Sequence, residues 1–457
     1  MLTILSITLA IATLLMLVIH PVTGVILLFI SKPIIDATWD QPIVLEMPVT
    51  QIISGLVPIA LLSRMLLANM DESLRAMPLR GLWILYVCYA GVFSLLIFYN
   101  QGPQSGANIF FRCLNGMTGF YMLQAFFHKA ARLKIVLLAM VIGGLFPIGV
   151  GLYQIATGAT WQAQNVEGIS RNIGLYHDAI TIRHYALQTI LATLLLGSLF
   201  THQHIVYSIG RLLYMATATI VMAKAYSKAG FLTLGIWAAL WNGLQKRFVT
   251  ISLMILLGLL VGTYYASQQL GDILQIFHKE IAFVDGKGDA HRTLNGRWYI
   301  WQTMFSEWVA LDWLAKTFGS GKVALGAHND YFQMLFHGGI VGLAIYVTLL
   351  GSIGFRILTN LREKVDPLTI AALMAFLCWL VDTIGLVPSS YSGYQWFIWG
   401  IIGLSLRRRA LENAFVSVNT ENTEIPNSIS SHQISSTTRE KEIPIGRFPI
   451  LSDKTGV

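Results

Sequence analysis

The chain places cationic side chains in polar breaks of an otherwise apolar sequence. The stretch "GAHNDYFQMLFHGG", residues 326–339, holds His328, Asn329 and Asp330 just before an apolar run. Upstream, the polar segments contain Arg171, Arg183, Arg292 and Arg297. Lys224 and Lys228 are four residues apart, which puts them on one helix face. Histidine exchanges a proton near neutral pH, so His328 is the candidate general base. Arginine keeps its charge and presents a rigid fork that matches phosphate oxygens. Together these residues suit an anionic ligand, and a pyrophosphate at a membrane surface is a natural guest. Each also has a plainer reading. Glu167 and Asp178 are near enough in sequence to neutralise Arg171 or Arg183. Taken alone, His328 reads as an interfacial histidine with a structural hydrogen bond.

The elements that must position these groups are membrane helices. The 457 residues are 55% hydrophobic and 12% charged, about half the charge of a soluble domain. Apolar runs such as "ISLMILLGLLVG" are continuous, which suits spans of roughly 20 residues rather than the alternation of a barrel. Spans are expected near 2–19, 22–35, 43–63, 81–99, 108–127, 135–157, 184–200, 212–228, 230–244, 249–266, 329–352, 368–386 and 395–406. The first two read equally well as one element broken at His20-Pro21, so the fold class is an all-α, polytopic membrane protein with about 12–13 transmembrane helices. The N-terminus lacks a basic leader and a small-residue cleavage site and reads as a retained span. Cys88, Cys113 and Cys378 lie in or beside apolar runs with no ligand spacing, and read as buried small hydrophobes.

Basic residues set the orientation. Arg64, Arg75 and Arg80, then Lys129, Arg132 and Lys134, Arg211, Lys246 and Arg247, Arg356, Arg362 and Lys364, and finally Arg407 to Arg409 fall on alternating loops. They therefore share one side, and the positive-inside bias makes it cytoplasmic. The opposite side carries 36–42, 100–107, 158–183, 267–328 and 387–394. The membrane domain is 1–409, including one large, partly helical outer loop at 267–328. Within that loop "RWYIWQTMFSEWVALDWLAKTFG" sets Trp301, Phe305, Trp308 and Leu311 near one face of an interfacial helix ended by Gly319 and Gly321. The tail 410–457 has four basic and six acidic side chains, so the remainder carries +10 of the net +8. It reads as a disordered cytoplasmic segment. The basic charge flanks membrane spans and forms no nucleic-acid stripe.

Several motif fragments are set aside. "GSGKV" lacks the leading glycine and the Ser/Thr of a phosphate loop. "DGKGD" is too sparse for a metal site. Gly338 and Gly342 have the spacing that permits close helix packing.

Four segments together resemble the O-antigen ligase and O-antigen polymerase superfamily of bacterial membrane glycosyltransferases. "RNIGLYHDAITIRHYA" (171–186) is similar to the arginine-glycine segment before a span, and "YSKAGFLTL" (226–234) to a serine-arginine stretch. "NGRWYIWQTMF" (295–305) resembles the arginine-tryptophan segment of the large loop, and "GAHNDYFQMLFHGGIVGL" (326–343) the His-Asn segment. The likeness covers roughly 135–405. Lys228 stands where arginine is common, His337 where an acid is common, and "HDAITIR" lacks the usual Pro-Asn.

The resemblance implies an undecaprenyl-pyrophosphate-linked glycan as donor, at the periplasmic face of the inner membrane. The acceptor hydroxyl would belong to lipid A-core or another glycan acceptor in a ligase, or to a second lipid-linked repeat unit in a polymerase. It implies neither a metal nor a nucleotide sugar. On this reading His328 takes the acceptor proton, and Arg171 and Arg297 stabilise the departing pyrophosphate. Lys228 and Arg183 are further pyrophosphate-binding candidates, and Asn329 and Asp330 are candidates to orient the imidazole. Inversion at the anomeric carbon is expected. The competing class is a transporter of a small solute, which would show ionisable groups or broken helices within the membrane.

Overall fold

The structure, a computed structural model, describes residues 1–44, 47–67, 74–159, 161, 164–166, 169–199, 205–245, 282, 285, 296–324 and 326–421. In chain order the described helices are α1 (Leu2–Ile19), α2 (Pro21–Asp36), α3 (Val49–Leu67), α4 (Arg80–Gln101), α5 (Pro103–Phe126), α6 (Ala130–Thr157) and α7 (Ala179–Leu199). They continue with α8 (Ile205–Lys224), α9 (Lys228–Gln245), α10 (Arg297–Ala310), α11 (Trp313–Phe318), α12 (Asp330–Glu363), α13 (Pro367–Gly385) and α14 (Ser392–Glu421). Two short antiparallel ribbons, Pro42–Val44 with Met47–Pro48 and Asn165–Val166 with Ile169–Ser170, sit in loops.

Among the described residues, α1, α4, α6, α7, α8, α12 and α13 are long and apolar enough to cross a membrane. The chain is an all-α, multi-pass membrane protein. This count is smaller than the 12–13 read from hydropathy, for identifiable reasons. Helix α2 has 16 residues, and the apolar part of α3 ends at Arg64. Helix α5 carries the buried polar side chains Asn115, Thr118 and Gln124. The expected span at 249–266 lies outside the described residues. So do Arg292, the first part of the 267–328 loop and residues 422–457 of the tail. Helix α14 runs on to Glu421, past the boundary that composition placed at Ala410.

The ambiguity at His20-Pro21 resolves into two helices. Pro21 opens α2, and His20 leaves helical geometry at φ −133°. The two helices double back on each other: Thr13 and Ser31 hydroxyls are 3.2 Å apart, and those of Ser6 and Thr38 are 2.9 Å apart. At the top of this hairpin a Cβ on Gly24 would lie 2.4 Å from the backbone nitrogen of Leu17, so only glycine allows the approach.

Aromatic residues fill the centre of the bundle. Trp83, Trp379, Trp396 and Trp399 are almost fully buried. Their indole N–H groups find partners where packing allows, Trp396 on Asn115 Oδ1 at 2.8 Å and Trp379 on the Tyr346 hydroxyl at 3.1 Å. Gly338 and Gly342 admit the ring of Tyr89, whose Cε1 would stand 3.2 and 3.1 Å from their added Cβ atoms.

Loop contacts sort the two ends of the bundle. At one end Asn100 donates to Gly321, the Val323 amide to Gln101, Arg171 to Ala225, Asn329 to Ile384, and Tyr391 to Asp178. At the other, Arg407 donates to Ala76 and Arg409 to Glu363. The groups that chemistry requires are therefore gathered at the end holding residues 171–178 and 326–330.

The loop helix differs from its expected form. It is two helices, because the Asp312 carboxylate accepts from the Ala315 amide at 3.0 Å and starts α11 anew. Its buried face is also displaced. Ile300, Met304 and Trp308 pack on Ala324, Ala327 and Phe336, while Phe305 is 50% exposed. Gly319, at φ 115°, ends α11.

Candidate functional site

Residues 171–178 are threaded between three helices. The Arg171 amide donates to Gln164 and its Nε to the Ala225 carbonyl, both at 2.8 Å. The Asn172 side chain donates to the Gly151 carbonyl at 3.1 Å, and the Gly174 amide to Gln154 Oε1 at 2.8 Å. Asp178 then caps α7, accepting from the Thr181 amide at 2.9 Å and from the Tyr391 hydroxyl at 2.7 Å. Burial pushes the Asp178 carboxyl up, but hydrogen bonds from His177, Tyr391 and Thr181 outweigh it and hold it well below the usual range.

Arg183, one turn into α7, is committed to the interior. Its Nη2 donates to Asp382 Oδ1 on α13 and to His184 Nε2, both at 2.8 Å, and its Nη1 donates to the Ser227 hydroxyl at 2.9 Å. Tyr394 completes the group by donating to Asp382 Oδ2 at 2.8 Å, and the His184 ring stacks on Tyr394 at 3.7 Å. Arg183 is only 1% exposed. It ties α7, α13 and the α8–α9 junction together and offers no fork to a ligand, unlike the pyrophosphate contact expected of it.

Arg297 opens α10 after Gly296, which is at φ 79°. Its Nη1 lies so near Gly385, the last residue of α13, that a Cβ there would stand 3.1 Å away. His328 follows on the loop between α11 and α12. That loop is pinned by Trp301 Nε1 donating to the Ala327 carbonyl at 3.0 Å, and by the Ala324 amide donating to His337 Nε2 at 3.1 Å. His328 is at φ 43°, in the left-handed region that non-glycine residues rarely adopt. Tyr226 is at φ 46°, between the residues that receive Arg171 and Arg183. Such strained positions concentrate at functional sites.

The structure places Arg297 where its charge reaches both Arg171 and His328. Burial lowers the Arg171 pKa, Asp178 opposes the fall, and Arg183 and Arg297 add to it, leaving it at about 10. Arg171 remains a cation at neutral pH. Burial first, and then the positive charge of Arg297, lower the His328 pKa below its ordinary value of 6.5. The ring is thereby held neutral and able to accept a proton. Lys228 begins α9, next to the Ser227 that receives Arg183.

Asn329 and Asp330 do not orient the imidazole. Asn329 caps α12, its Oδ1 accepting from the Phe332 amide at 3.0 Å, and its Nδ2 donates to the Ile384 carbonyl at 3.1 Å. Asp330 accepts from the Tyr346 and Ser389 hydroxyls, each at 3.0 Å. Both fix the loop that carries His328 rather than touch its ring.

Beside this cluster lies a cavity of about 830 Å³, walled by α2, α3, α5, α7 and residues 389–394. Arg171, Arg183, Lys228, Arg297, His328, Asn329 and Asp330 do not line it, whereas His177, Thr181 and Tyr185 of the 171–186 segment do. His184 and Tyr391 line it too, and through Tyr391 the cavity borders the Asp178 cap. Sequence reading also missed Asp382 and Arg112; the available signal was a charged residue inside an apolar span. Among the described residues, no three His, Cys, Asp or Glu side chains converge as a metal cluster. No profile of a known protein family matches the chain, and no curated protein matches it.

Proposed function

We propose that this chain is a membrane glycosyltransferase of the O-antigen ligase type. It moves a glycan from undecaprenyl pyrophosphate to an acceptor hydroxyl, on lipid A-core or another surface glycan acceptor, at the periplasmic face of the bacterial inner membrane. The tail is cytoplasmic. The observation that carries this reading is that Arg297 reaches both Arg171 and His328 at one end of the bundle, with the His328 pKa lowered and Arg171 still a cation at neutral pH. The acceptor oxygen attacks the anomeric carbon, its proton passes to His328, and the bond from that carbon to the pyrophosphate oxygen breaks. The two arginines stabilise the charge gathering on the leaving group. Attack opposite the leaving group inverts the anomeric centre. No cofactor takes part.

A polymerase joining lipid-linked repeat units uses the same donor chemistry and differs only in acceptor. Transport of a small solute is favoured by one observation, the ionised pair Arg183–Asp382 inside the helices. Full-length protein in proteoliposomes, given the lipid-linked glycan and lipid A-core, separates these readings. A ligated, inverted product supports the ligase, and chain extension of the donor supports the polymerase. Solute uptake without any glycan product replaces both with transport.

A further inference from the structure

The cavity contains polar groups that the protein itself leaves unmatched. Gln51, Asn108, Arg112 and Gln188 line it, and among the described residues their side chains make no hydrogen bond or ion pair. Gln188 is only 3% exposed, so its amide has the cavity as its outlet. One turn earlier on α7, the buried Nδ1 of His184 is also without a partner. Gln188 and His184 are buried, and native interiors rarely leave buried polar groups unpaired; Gln51, Asn108 and Arg112 are half-buried at the cavity wall.

Charge narrows the ligand. Lys32 also lines the cavity, but its ammonium is paired with Asp36, and Thr50 and Tyr185 donate to the same carboxylate. The carboxylate of Asp330, which could have answered Arg112, accepts instead from Tyr346 and Ser389. The Asp330 charge still reaches Arg112, but among the described residues no carboxylate is hydrogen-bonded to the guanidinium, whose donors are left for the cavity. Its planar fork fits a phosphate or carboxylate. The amides around it supply further donors and acceptors to the same head group.

The two helices that carry Gln51, Asn108 and Arg112 also give the cavity an apolar, open side. Leu56 and Ile59 of α3 line the cavity while 40% and 45% exposed on the outside of the bundle, and Ala107 and Phe111 of α5 face them across the opening. A chain anchored in the bilayer can leave along this seam while its head stays within.

We propose that Arg112, with Gln51, Asn108 and Gln188, forms a binding site for the anionic head of a membrane amphiphile whose chain exits between α3 and α5. The shared chemistry is one phosphate or carboxylate on an apolar chain. The site lies beside the Arg171–Arg297–His328 cluster, shares none of those residues, and does not rest on the glycan-transfer reading.

The test uses the full chain in nanodiscs of zwitterionic lipid and a dodecyl phosphate carrying a photoreactive diazirine in mid-chain. Crosslinks are expected on residues 52–59 of α3 or 107–111 of α5. Unlabelled dodecyl phosphate and dodecanoate should compete, while dodecyl maltoside and inorganic phosphate should not. Arg112→Gln should weaken labelling by about tenfold or more, as expected for loss of a charged hydrogen bond. Arg112→Lys should retain part of it. Asn108→Leu, at a partly exposed position with no hydrogen bond to lose, should weaken it by about threefold and decides the matter if Arg112→Gln does not reach the membrane. Undiminished labelling in the folded variants overturns the proposal. So does labelling spread over outward residues such as Leu95 and Phe355. Equal competition by inorganic phosphate would mean a soluble anion, and equal competition by the maltoside a neutral head; either result also overturns it.

Discussion

Arg183 and Asp382 meet at 2.8 Å between α7 and α13, each with 1% of its side chain exposed. Two residues 199 positions apart thus fix the floor beneath the outer cations. Arg171, whose Nε donates to the Ala225 carbonyl, and Arg297, at the start of α10, take no part in that pair.

Removing one partner of this pair should be strongly destabilising. A buried charge without its counter-ion costs about 3–5 kcal/mol. Asp382→Asn should lower the thermal unfolding midpoint of the full chain in detergent. The double variant Arg183→Met/Asp382→Leu should recover most of the loss, because it leaves no unpaired charge. A wild-type midpoint for the single variant would show that the pair contributes nothing.

The pH dependence of transfer should report on His328. Its pKa lies below 6.5 because of burial and the charge of Arg297, so the ring stays neutral at neutral pH and the acid limb of activity lies below that value. Arg297→Gln removes a positive neighbour, which raises the pKa and moves the limb to higher pH. The same shift has a stability consequence. Below about pH 6.5 the unfolded chain binds a proton that the folded ring resists, so this histidine costs stability as pH falls. An acid limb unmoved in Arg297→Gln would separate the two residues.

Gly385 should act through Arg297. An added Cβ meets the guanidinium at 3.1 Å. Gly385→Ala requires only a small displacement of a flexible side chain, and transfer should fall by a few-fold at most. Gly385→Leu should move the guanidinium away from the donor and reduce the rate by about tenfold, roughly 1.4 kcal/mol in the barrier, with the protein still in the membrane. Normal rates in Gly385→Leu would mean that the placement of Arg297 is unimportant.

The loop bearing His328 depends on two close backbone approaches. A Cβ on Gly319 would stand 1.9 Å from the His337 carbonyl oxygen, and one on Gly339 2.3 Å from that of Thr317. Both glycines also have positive φ, 115° and 64°. Alanine at either position should destabilise the protein by about 1–3 kcal/mol and increase protease cleavage within 319–328. Unchanged cleavage in both variants would show that the loop tolerates the strain.

Much of the helical framework was legible because apolar runs of span length have few alternatives in a chain so poor in charge. His20-Pro21 was ambiguous in sequence, since Pro both opens helices and breaks them; the close packing permitted by Gly24 decides it. The face of α10 was misread by about one residue because Trp298, Tyr299, Ile300 and Trp301 are consecutive and apolar, so the local period is weak. The roles of Asn329, Asp330 and Arg183 were misjudged for another reason. Their partners Ile384, Ser389 and Asp382 are more than fifty residues away, and no local pattern encodes such pairings. Arg112 was hidden inside an expected span, where its single charge was itself the clue.

In the proposed mechanism His328 accepts the acceptor proton. The most direct measurement is glycan transfer by purified full-length His328→Ala in proteoliposomes, beside wild type and with membrane insertion verified. Loss of a general base should slow transfer by about 10²–10⁴-fold, while binding of the lipid-linked donor is kept by Arg171 and Arg297. Transfer at the wild-type rate by an inserted His328→Ala protein would show that His328 is not the base.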